Sequence, residues 1–398
     1  MTGNHEPVTD WATDFDHTDL RWAADPFPIW DELRRECPVA HSDRYGGVWL
    51  PTRHEDVAAI AYDTEHFSSS GIIVSDEPQI FGPPVGMAPP ITSDPPFHAE
   101  ARRLILQALG PKAVARLEPI TRAWCEELLD RVDGQPVIDA AAEYAENIPG
   151  RIVCHILGFP PDDADLLKDY IQLELVDLPF MERPMPRVMM FEYLRDQIMD
   201  HVANPRDDLT SHLLASTLDG EPLELTHVGG TMALLIIAGI DTTWSSIGAA
   251  LWHLAQRPAD RDRLRDEPDL MPVAIEELLR AYAPVTMARK VVEEVEIGGC
   301  PMKPGEWVLL PFPAANRDPD HFDRADEVVL DRAENRHATF GLGIHRCAGS
   351  NLARMEMRVA IETWLDRYPE FSLDDPDAVR WAGGQVRGPR VLPIRVSA

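Results

Sequence analysis

The 398-residue sequence predicts a mainly α-helical protein with small peripheral β-sheets. Apolar residues recur at helical spacing through most of residues 99–370, most clearly over 113–131, 191–203, 226–256 and 271–282. Strand patterns are few and short, at 47–51, 291–297, 307–310 and 391–396. We find no internal repeat and no low-complexity linker, so we expect residues 1–398 to form one domain, with residues 1–15 a candidate disordered segment.

Composition excludes several classes of partner. The formal net charge is −30, which disfavours nucleic acid and anionic membrane surfaces, because both are bound through Lys and Arg. The 5 cysteines are scattered and form no Cys-x-x-Cys pair, as is typical of a reducing compartment. The N-terminus has no signal-peptide pattern, and the apolar run 232–240 is too short to cross a bilayer before Asp241 interrupts it. We therefore expect a cytoplasmic protein without a membrane anchor.

Proline divides the chain unevenly. Seven prolines fall within residues 68–97, which predicts a long ordered loop rather than a helix. Loops of this length in a compact protein usually carry function.

The segment Phe340-Gly-Leu-Gly-Ile-His-Arg-Cys-Ala-Gly349 is the most informative stretch of the chain. Cys347 lies on a glycine-rich loop just before a predicted helix at 351–358, whose N-terminus would favour a thiolate. Glycines let the backbone approach a sulfur and a flat macrocycle closely. An axial cysteine on haem iron suits this arrangement. The alternatives are a buried free cysteine and a zinc site, although His345 and Cys347 alone lack the paired spacing of a closed zinc site.

This segment resembles the haem-binding loop of the cytochrome P-450 family, Phe-Gly-x-Gly-x-His-x-Cys-x-Gly, at every fixed position. The resemblance spans nearly the whole chain. It implies haem b as cofactor and the family's triangular, helix-rich fold, with haem between the long central helix and the helix after the Cys loop. It also implies that Cys347 is the axial ligand of the iron. The loop residues that would contact the cofactor are Phe340, Gly341, His345, Cys347 and Gly349.

A second motif interrupts the long apolar helix pattern at 229–255. Asp241 and Thr242 are costly to bury there unless they are used or paired, and Thr242 can bond back to a carbonyl one turn earlier. Gly239 leaves room where a small ligand would need it. Ala238-Gly-Ile-Asp-Thr-Thr243 resembles the family's acid–alcohol pair, which implies a proton relay through Asp241 and a hydrogen-bonding role at dioxygen for Thr242. The alternative is a helix kink or an internal cap.

Cations in three segments would hold the haem propionates. His98 and Arg102 are spaced i, i+4 on one helix face and resemble the family's His-x-x-x-Arg segment. Arg289, on an extended segment, and His345 match further propionate positions. Each one alone would more commonly be a surface ion-pair partner. Glu277 and Arg280 match the family's Glu-x-x-Arg, which we interpret as a structural charge network behind the Cys loop.

Apolar residues around the predicted reaction centre indicate a hydrophobic small-molecule substrate, with a terpenoid-like or aromatic compound favoured. Each could equally be a core residue. The predicted pocket residues are Phe81, Met87, Ile91, Leu234, Ile237, Ala238, Val285, Met287 and Val386.

Few residues follow Cys347, so we expect no fused reductase and a separate electron donor. A basic patch near the Cys loop would suit an acidic ferredoxin, itself reduced by a ferredoxin reductase; the alternative is ordinary solvated arginines. The patch residues are Arg103, Lys112, Arg346, Arg354 and Arg358.

Together these features predict a bacterial-type haem-thiolate monooxygenase with O2 as co-substrate. One alternative is a peroxide-driven peroxygenase, but such members depart from the acid–alcohol pair that Asp241 and Thr242 preserve. Another is a haem-binding sensor or carrier without turnover, which would have no reason to keep that pair beside a thiolate.

Overall fold

The computed structural model describes residues 6–74, 88–175 and 184–397, without the side chains of 172–175 and 184–187. It confirms the predicted fold class of a mainly α-helical protein with small sheets. The helices are α1 (Leu20–Ala24), α2 (Phe27–Glu36), α3 (His54–Tyr62), α4 (Phe97–Leu109), α5 (Pro111–Arg131), α6 (Asn147–Leu157), α7 (Ala164–Leu175), α8 (Pro184–Ala203), α9 (Leu209–Ala215), α10 (Leu225–Gln256), α11 (Pro258–Asp266), α12 (Met271–Ala281), α13 (Phe312–Ala315) and α14 (Ser350–Arg367).

Short strands lie at the periphery. They are β1 (Val39–Ser42), β2 (Val48–Pro51), β3 (Phe67–Ser68), β4 (Val137–Asp139), β5 (Thr217–Leu218), β6 (Glu221–Pro222), β7 (Thr286–Val291), β8 (Val295–Ile297), β9 (Cys300–Met302), β10 (Trp307–Pro311), β11 (Phe371–Leu373), β12 (Arg380–Ala382), β13 (Gly388–Val391) and β14 (Pro393–Val396). The largest described sheet has the order β1-β2-β10-β7-β3, in which β2 and β10 are parallel and the other pairs are antiparallel.

Two predicted strands are each divided in the structure. The stretch 291–297 contains the end of β7 and all of β8, because Val292 to Glu294 turn the chain between two different sheets. Leu392 likewise separates β13, which pairs with β12, from β14, which pairs with β11 and β4. Apolar patterning detects such runs but carries no information on which sheet each half joins.

Helix α10 is apolar around its whole circumference and lies in the core, as that pattern requires. It packs against α6, α14 and β13. Among the described helices, α10 has the length and composition of a membrane span, yet 67% of its most apolar stretch is buried inside the protein.

Helix α14 begins directly behind the Cys loop and packs along α5. Its buried face joins those of α5, α10 and α12 in one hydrophobic cluster that contains Leu128, Ile247, Leu278 and Trp364. The Cys loop is therefore attached to the largest hydrophobic cluster of the described residues.

Part of the candidate disordered segment 1–15 packs against the rest of the protein. Phe15 is fully buried, and the Arg44 guanidinium lies 2.8 Å from the Asp14 carboxylate. The disorder of residues 1–15 stays a prediction.

Candidate active site

The Cys loop is a tight turn that presents Cys347 to a cavity. The Cys347 N–H donates to the Phe340 carbonyl at 2.6 Å. Gly343 has φ +68°, and a Cβ there would lie 2.3 Å from the Ala61 carbonyl oxygen, so α3 can approach the loop only because this residue is glycine. Gly341, at φ +71°, needs glycine for the same backbone region.

Cys347 is open to the cavity and surrounded by protein elsewhere. Burial raises the pKa of its thiol, while the Gly349 N–H and the positive charges of Arg102, Arg346 and Arg354 lower it. The environment thus supplies stabilisation for a thiolate but leaves part of the burial cost uncompensated. A metal cation at the sulfur would compensate that cost and remove the proton. Phe340 lies in the same loop as Cys347, and the Arg354 guanidinium is 4.3 Å from the centroid of its ring.

Helix α10 forms the opposite wall of the same cavity. Leu234, Ala238 and Thr242, successive i, i+4 positions, line it together with Gly239. Thr242 donates a 2.7 Å hydrogen bond from Oγ1 to the Ala238 carbonyl, one turn earlier, and the helix continues through it. A Cβ on Gly239 would lie 2.9 Å from Val153, so this glycine allows α6 to pack close to α10.

Asp241 lies on a different side of α10 from Thr242. It is 1% exposed, does not line the cavity and forms an ion pair with Arg390 of β13. Burial raises the pKa of the Asp241 carboxyl, and Arg390 and Ser245 oppose that rise. Sequence reasoning missed Arg390, because nothing near Asp241 in the sequence indicates a partner in the C-terminal strands.

One end of the cavity holds a cluster of positive and donor side chains. Arg289 is only 5% exposed, and burial lowers its pKa to about 10. Burial, followed by the charge of Arg289, lowers the pKa of His345 to about 2. Arg102 also lines the cavity, and burial lowers its pKa. His98 lies behind the wall, its ring 4.3 Å from that of His345, with no hydrogen-bond partner at Nε2 among the described residues.

These depressed pKa values have a common meaning. Each cation is desolvated, and Asp94 is the acidic residue whose charge acts on both Arg289 and His98. A second anionic group in the cavity would stabilise all of them. The cavity thus joins a cysteine sulfur at one wall to a cation cluster at one end, which fits an iron macrocycle with acidic side chains.

The cavity wall contains some of the predicted pocket residues and excludes others. The cavity has a volume of about 240 Å³. Ile91, Leu234, Ala238, Val285 and Met287 line it. Ile237 and Val386 do not: Ile237 packs into the cluster between α6 and α10, and Val386 pairs with Val285 through its backbone. Phe81 and Met87 lie outside the described residues.

Helix α6 supplies a wall that sequence reasoning did not predict. Val153, Ile156 and Leu157 line the cavity, as does Ile105 of α4. The apolar face of α6 was visible as helical periodicity, but periodicity does not distinguish a face that lines a cavity from one that packs in a core.

Glu277 and Arg280 form a fully buried pair behind the Cys loop. Both nitrogens of the Arg280 fork lie 2.8 Å from Glu277 carboxylate oxygens, and Arg332 adds a third contact of 2.8 Å. Arg280 also donates to the carbonyls of Asn316, Ala325 and Glu327. The Asn316 side chain in turn bonds Thr339, the residue before Phe340, so the network reaches the Cys loop.

The basic patch is less uniform than its sequence suggests. Arg354 pairs with Glu276, and Arg358 pairs with Glu118 and Glu362. Arg103 lies 3.6 Å from Glu100. Lys112 and Arg346 are exposed, and no carboxylate of the described residues lies within ion-pair distance of either. The uncompensated positive charge is therefore concentrated at Lys112 and Arg346.

Comparisons with known proteins agree with this geometry. Residues 188–379 match the family model for cytochrome P450. The mycinamicin IV hydroxylase/epoxidase of Micromonospora griseorubida is 34% identical over 91% of this chain and 94% of its own length. The nocardicin C N-oxygenase of Nocardia uniformis subsp. tsuyamanensis is 33% identical over 94% of this chain and 96% of its own.

Solved structures extend the likeness to the whole fold. CYP109E1 from Bacillus megaterium, in complex with testosterone, has a TM-score of 0.86 at 30% identity over 94% of this chain and 98% of its own. CYP101J2 has a TM-score of 0.88 at 27% identity over the full length of both chains. With the Cys loop, the cation cluster and these relatives in place, the chain belongs to the cytochrome P450 family and is a monooxygenase that uses haem b and O2.

Proposed function

We propose that this monooxygenase inserts one oxygen atom into an apolar small molecule held between Cys347 and Thr242, with a terpenoid-like or aromatic substrate favoured. The observation that carries the proposal is the cavity itself. Its walls are mainly apolar, with hydroxyls from Thr242, Thr243 and Ser246 of α10, and its charged groups are gathered at one end. A dry pocket with few polar anchors selects by shape and apolar surface rather than by charge.

Two sets of residues would hold the cofactor. Cys347 would supply a thiolate to the iron, and Arg102, Arg289, His345 and His98 would supply the charge and donors for the propionates. When bound, haem supplies the activation of O2 and its electron chemistry. The protein's own contribution is to orient the macrocycle, exclude water and deliver protons.

Thr242 and Asp241 divide the proton work. The Thr242 hydroxyl is at the cavity wall, where it can exchange its bond to Ala238 for one to a ligand. Asp241 holds a proton more readily than an exposed carboxyl because burial raises its pKa. To act with Thr242, the Asp241 carboxyl must turn away from Arg390. In this proposal both Asp241 and Thr242 transfer protons as general acids.

Electrons come from a separate acidic ferredoxin and its reductase, in the cytoplasm. The charge that favours this partner lies at Lys112 and Arg346, beside the Cys loop, as a local exception in a chain of net charge −30.

An optical spectrum of the purified protein, reduced under carbon monoxide, tests the ligand assignment first. We expect the red-shifted Soret band of thiolate-bound haem in the wild type and its loss in Cys347→His. Haem without that band in the wild type would contradict the proposal. The ferric protein is then screened for the low-to-high-spin shift with small terpenes, aromatics, testosterone, mycinamicin IV and nocardicin C, the last three because relatives bind or oxidise them. The compound with the largest shift is the test substrate, and product formation with ferredoxin and reductase completes the test.

A further inference from the structure

Three contacts fix Arg390 against α10. Its Nη2 lies 2.7 Å from Asp241 Oδ1, and its Nη1 donates a 2.9 Å hydrogen bond to Ser245 Oγ. Its Cζ lies 4.3 Å from the ring centroid of Trp244. An arginine held by an ion pair, a hydroxyl and an aromatic face has little freedom to leave Asp241.

The backbone of β13 brings Arg390 to this place. A Cβ on Gly388 would lie 2.3 Å from the Ser245 Cβ, and a Cβ on Gly248 would lie 2.8 Å from Pro389. Glycine on each element thus allows β13 and α10 to approach more closely than side chains permit. Packing therefore determines the Asp241–Arg390 geometry.

The ion pair extends from the core toward the surface. The Asp241 side chain is 2% exposed and the Arg390 side chain 24%. Asp241 does not line the cavity, although its neighbours Thr242, Thr243 and Ser246 do. The Asp241 carboxyl is therefore in direct contact with Arg390 and not with the substrate cavity.

Glu146 directly follows the helical turn Ala140–Ala145, which packs against both α10 and β13. It is 6% exposed, and burial raises its pKa, against which the positive charges of Lys168 and then Arg390 act. Lys168 Nζ is 3.4 Å from Glu146 Oε1 and 3.4 Å from Asp165, whose side chain is 80% exposed. Asp139 is the other acid whose charge reaches Glu146. Arg390 thus contacts one buried carboxyl, Asp241, and acts through its charge on a second, Glu146, whose partner Lys168 is partly exposed to solvent.

We propose that Arg390 is a positioning residue for Asp241, and that protons reach Asp241 from the Glu146–Lys168 side rather than through the substrate cavity. This rests on the relay role proposed above for Asp241. The carboxylate takes one proton from water on the Arg390 side. After turning toward Thr242 it gives that proton to the Thr242 hydroxyl, which passes its own proton on. Asp241 and Thr242 end with the protons they began with.

Infrared titration of the substrate-free holoenzyme tests the positioning directly. The C=O stretch of protonated Asp241 is identified by its absence in Asp241→Asn. In Arg390→Gln we expect this band to persist to higher pH than in the wild type, because the opposing cation is gone. In Glu146→Gln it should disappear at lower pH, because Arg390 then pairs with Asp241 alone. Arg390→Lys should remain near the wild type. Arg395→Gln, which removes an exposed pair with Asp374, is the matched control and should change nothing.

Turnover of the test substrate provides the second readout. Asp241→Asn should be slower by about 10²-fold, the contribution of a general acid. The turnover rate of Arg390→Gln should lie between those of Asp241→Asn and the wild type. Its solvent isotope effect should be larger than that of the wild type, and the limb of its pH–rate profile should move to higher pH. Added to Asp241→Asn, the Arg390→Gln substitution should not slow turnover further. Peroxide, which brings its own protons, should reduce the defect.

A wild-type infrared titration in both Arg390→Gln and Glu146→Gln overturns the proposal. The proposal is also overturned if Arg390→Gln slows turnover by the same factor in the wild-type and in the Asp241→Asn background. If Arg390→Gln does not fold, Glu146→Gln and Arg390→Lys decide the question. Absence of the thiolate carbon monoxide band in the wild type would instead contradict the proposed function, so the two failures are distinguishable.

Discussion

The hydroxyl oxygen of Ser69 lies 2.8 Å from Nε2 of His345. This contact joins the start of the proline-rich segment to the Cys loop, and Asp94 strengthens it by accepting the Ser69 backbone N–H at 2.8 Å. Ser69 thus occupies one ring nitrogen of His345, a residue that lines the cavity. This hydrogen bond connects the start of the proline-rich segment to the cavity wall.

Haem retention should depend on Arg289 more than on the next residue, Lys290. Arg289→Gln removes a buried cation from the propionate end, and a hydrogen bond to a charged group contributes about 1.5–3 kcal/mol, so we expect haem loss to be about 10- to 100-fold faster. Lys290→Gln is the matched control, since the Lys290 side chain lies over Trp307 outside the cluster. Haem transfer to an excess of apomyoglobin measures both rates. Equal rates in the two variants would show that Arg289 does not hold the cofactor.

The elements of this site that sequence predicted are those encoded in contiguous residues. The Cys loop and the Asp241–Thr242 pair each occupy a short stretch with a fixed spacing, and the cavity lies between them. Helical spacing also predicted which residues share a face, which is how Leu234, Ala238 and Thr242 come to line one wall.

The remaining features depend on contacts between distant segments. Arg390 reaches Asp241 only because β13 packs on α10, and no local pattern specifies that packing. Arg354 looked like a free surface cation until Glu276 of α12 was seen to neutralise it. Ile237 has the right spacing for Asp241, but it packs against the hydrophobic cluster that α6 to α10 form and does not line the cavity.

Stability should fall as pH rises because of Glu356. This residue of α14 is 1% exposed, its Oε2 has no hydrogen-bond partner among the described residues, and burial raises its pKa from 4.5 to about 8. The folded state therefore holds a proton that the unfolded state releases between these values. The stabilisation is complete below pH 4.5 and is lost at up to about 1.4 kcal/mol per pH unit until pH 8.

Glu356→Gln should remove this slope, leaving the variant more stable than the wild type at pH 8. Urea unfolding across this pH range measures the slope, with the exposed Glu370→Gln as control. A wild-type slope in Glu356→Gln would mean that other groups produce it.

The Glu277–Arg280 network should be essential for folding. Arg280→Ala leaves Glu277 buried with one cation fewer, and breaking a buried pair costs about 3–5 kcal/mol. Arg324→Ala, which removes an exposed pair with Glu327, should cost about 0–1 kcal/mol. Chemical unfolding and haem content measure the difference. Similar losses in both variants would contradict a structural role for the buried pair.

Ferredoxin-driven reduction should depend on Lys112 and Arg346 rather than on the paired arginines. In Lys112→Glu/Arg346→Glu, electrostatic steering is lost, so we expect the association rate with an acidic ferredoxin to fall at least about tenfold at low salt. The difference should shrink as ionic strength rises, because the Debye length falls to about 10 Å at 0.1 M salt. Because the charge of Arg346 also lowers the pKa of the Cys347 thiol, the carbon monoxide spectrum of the variant is recorded to separate a change at the thiolate from a loss of ferredoxin binding. Arg35→Glu/Lys303→Glu, at two exposed sites away from the Cys loop, is the control matched for net charge. If this control slows the reaction equally, the effect belongs to the overall charge of −30 and not to a docking patch beside Cys347.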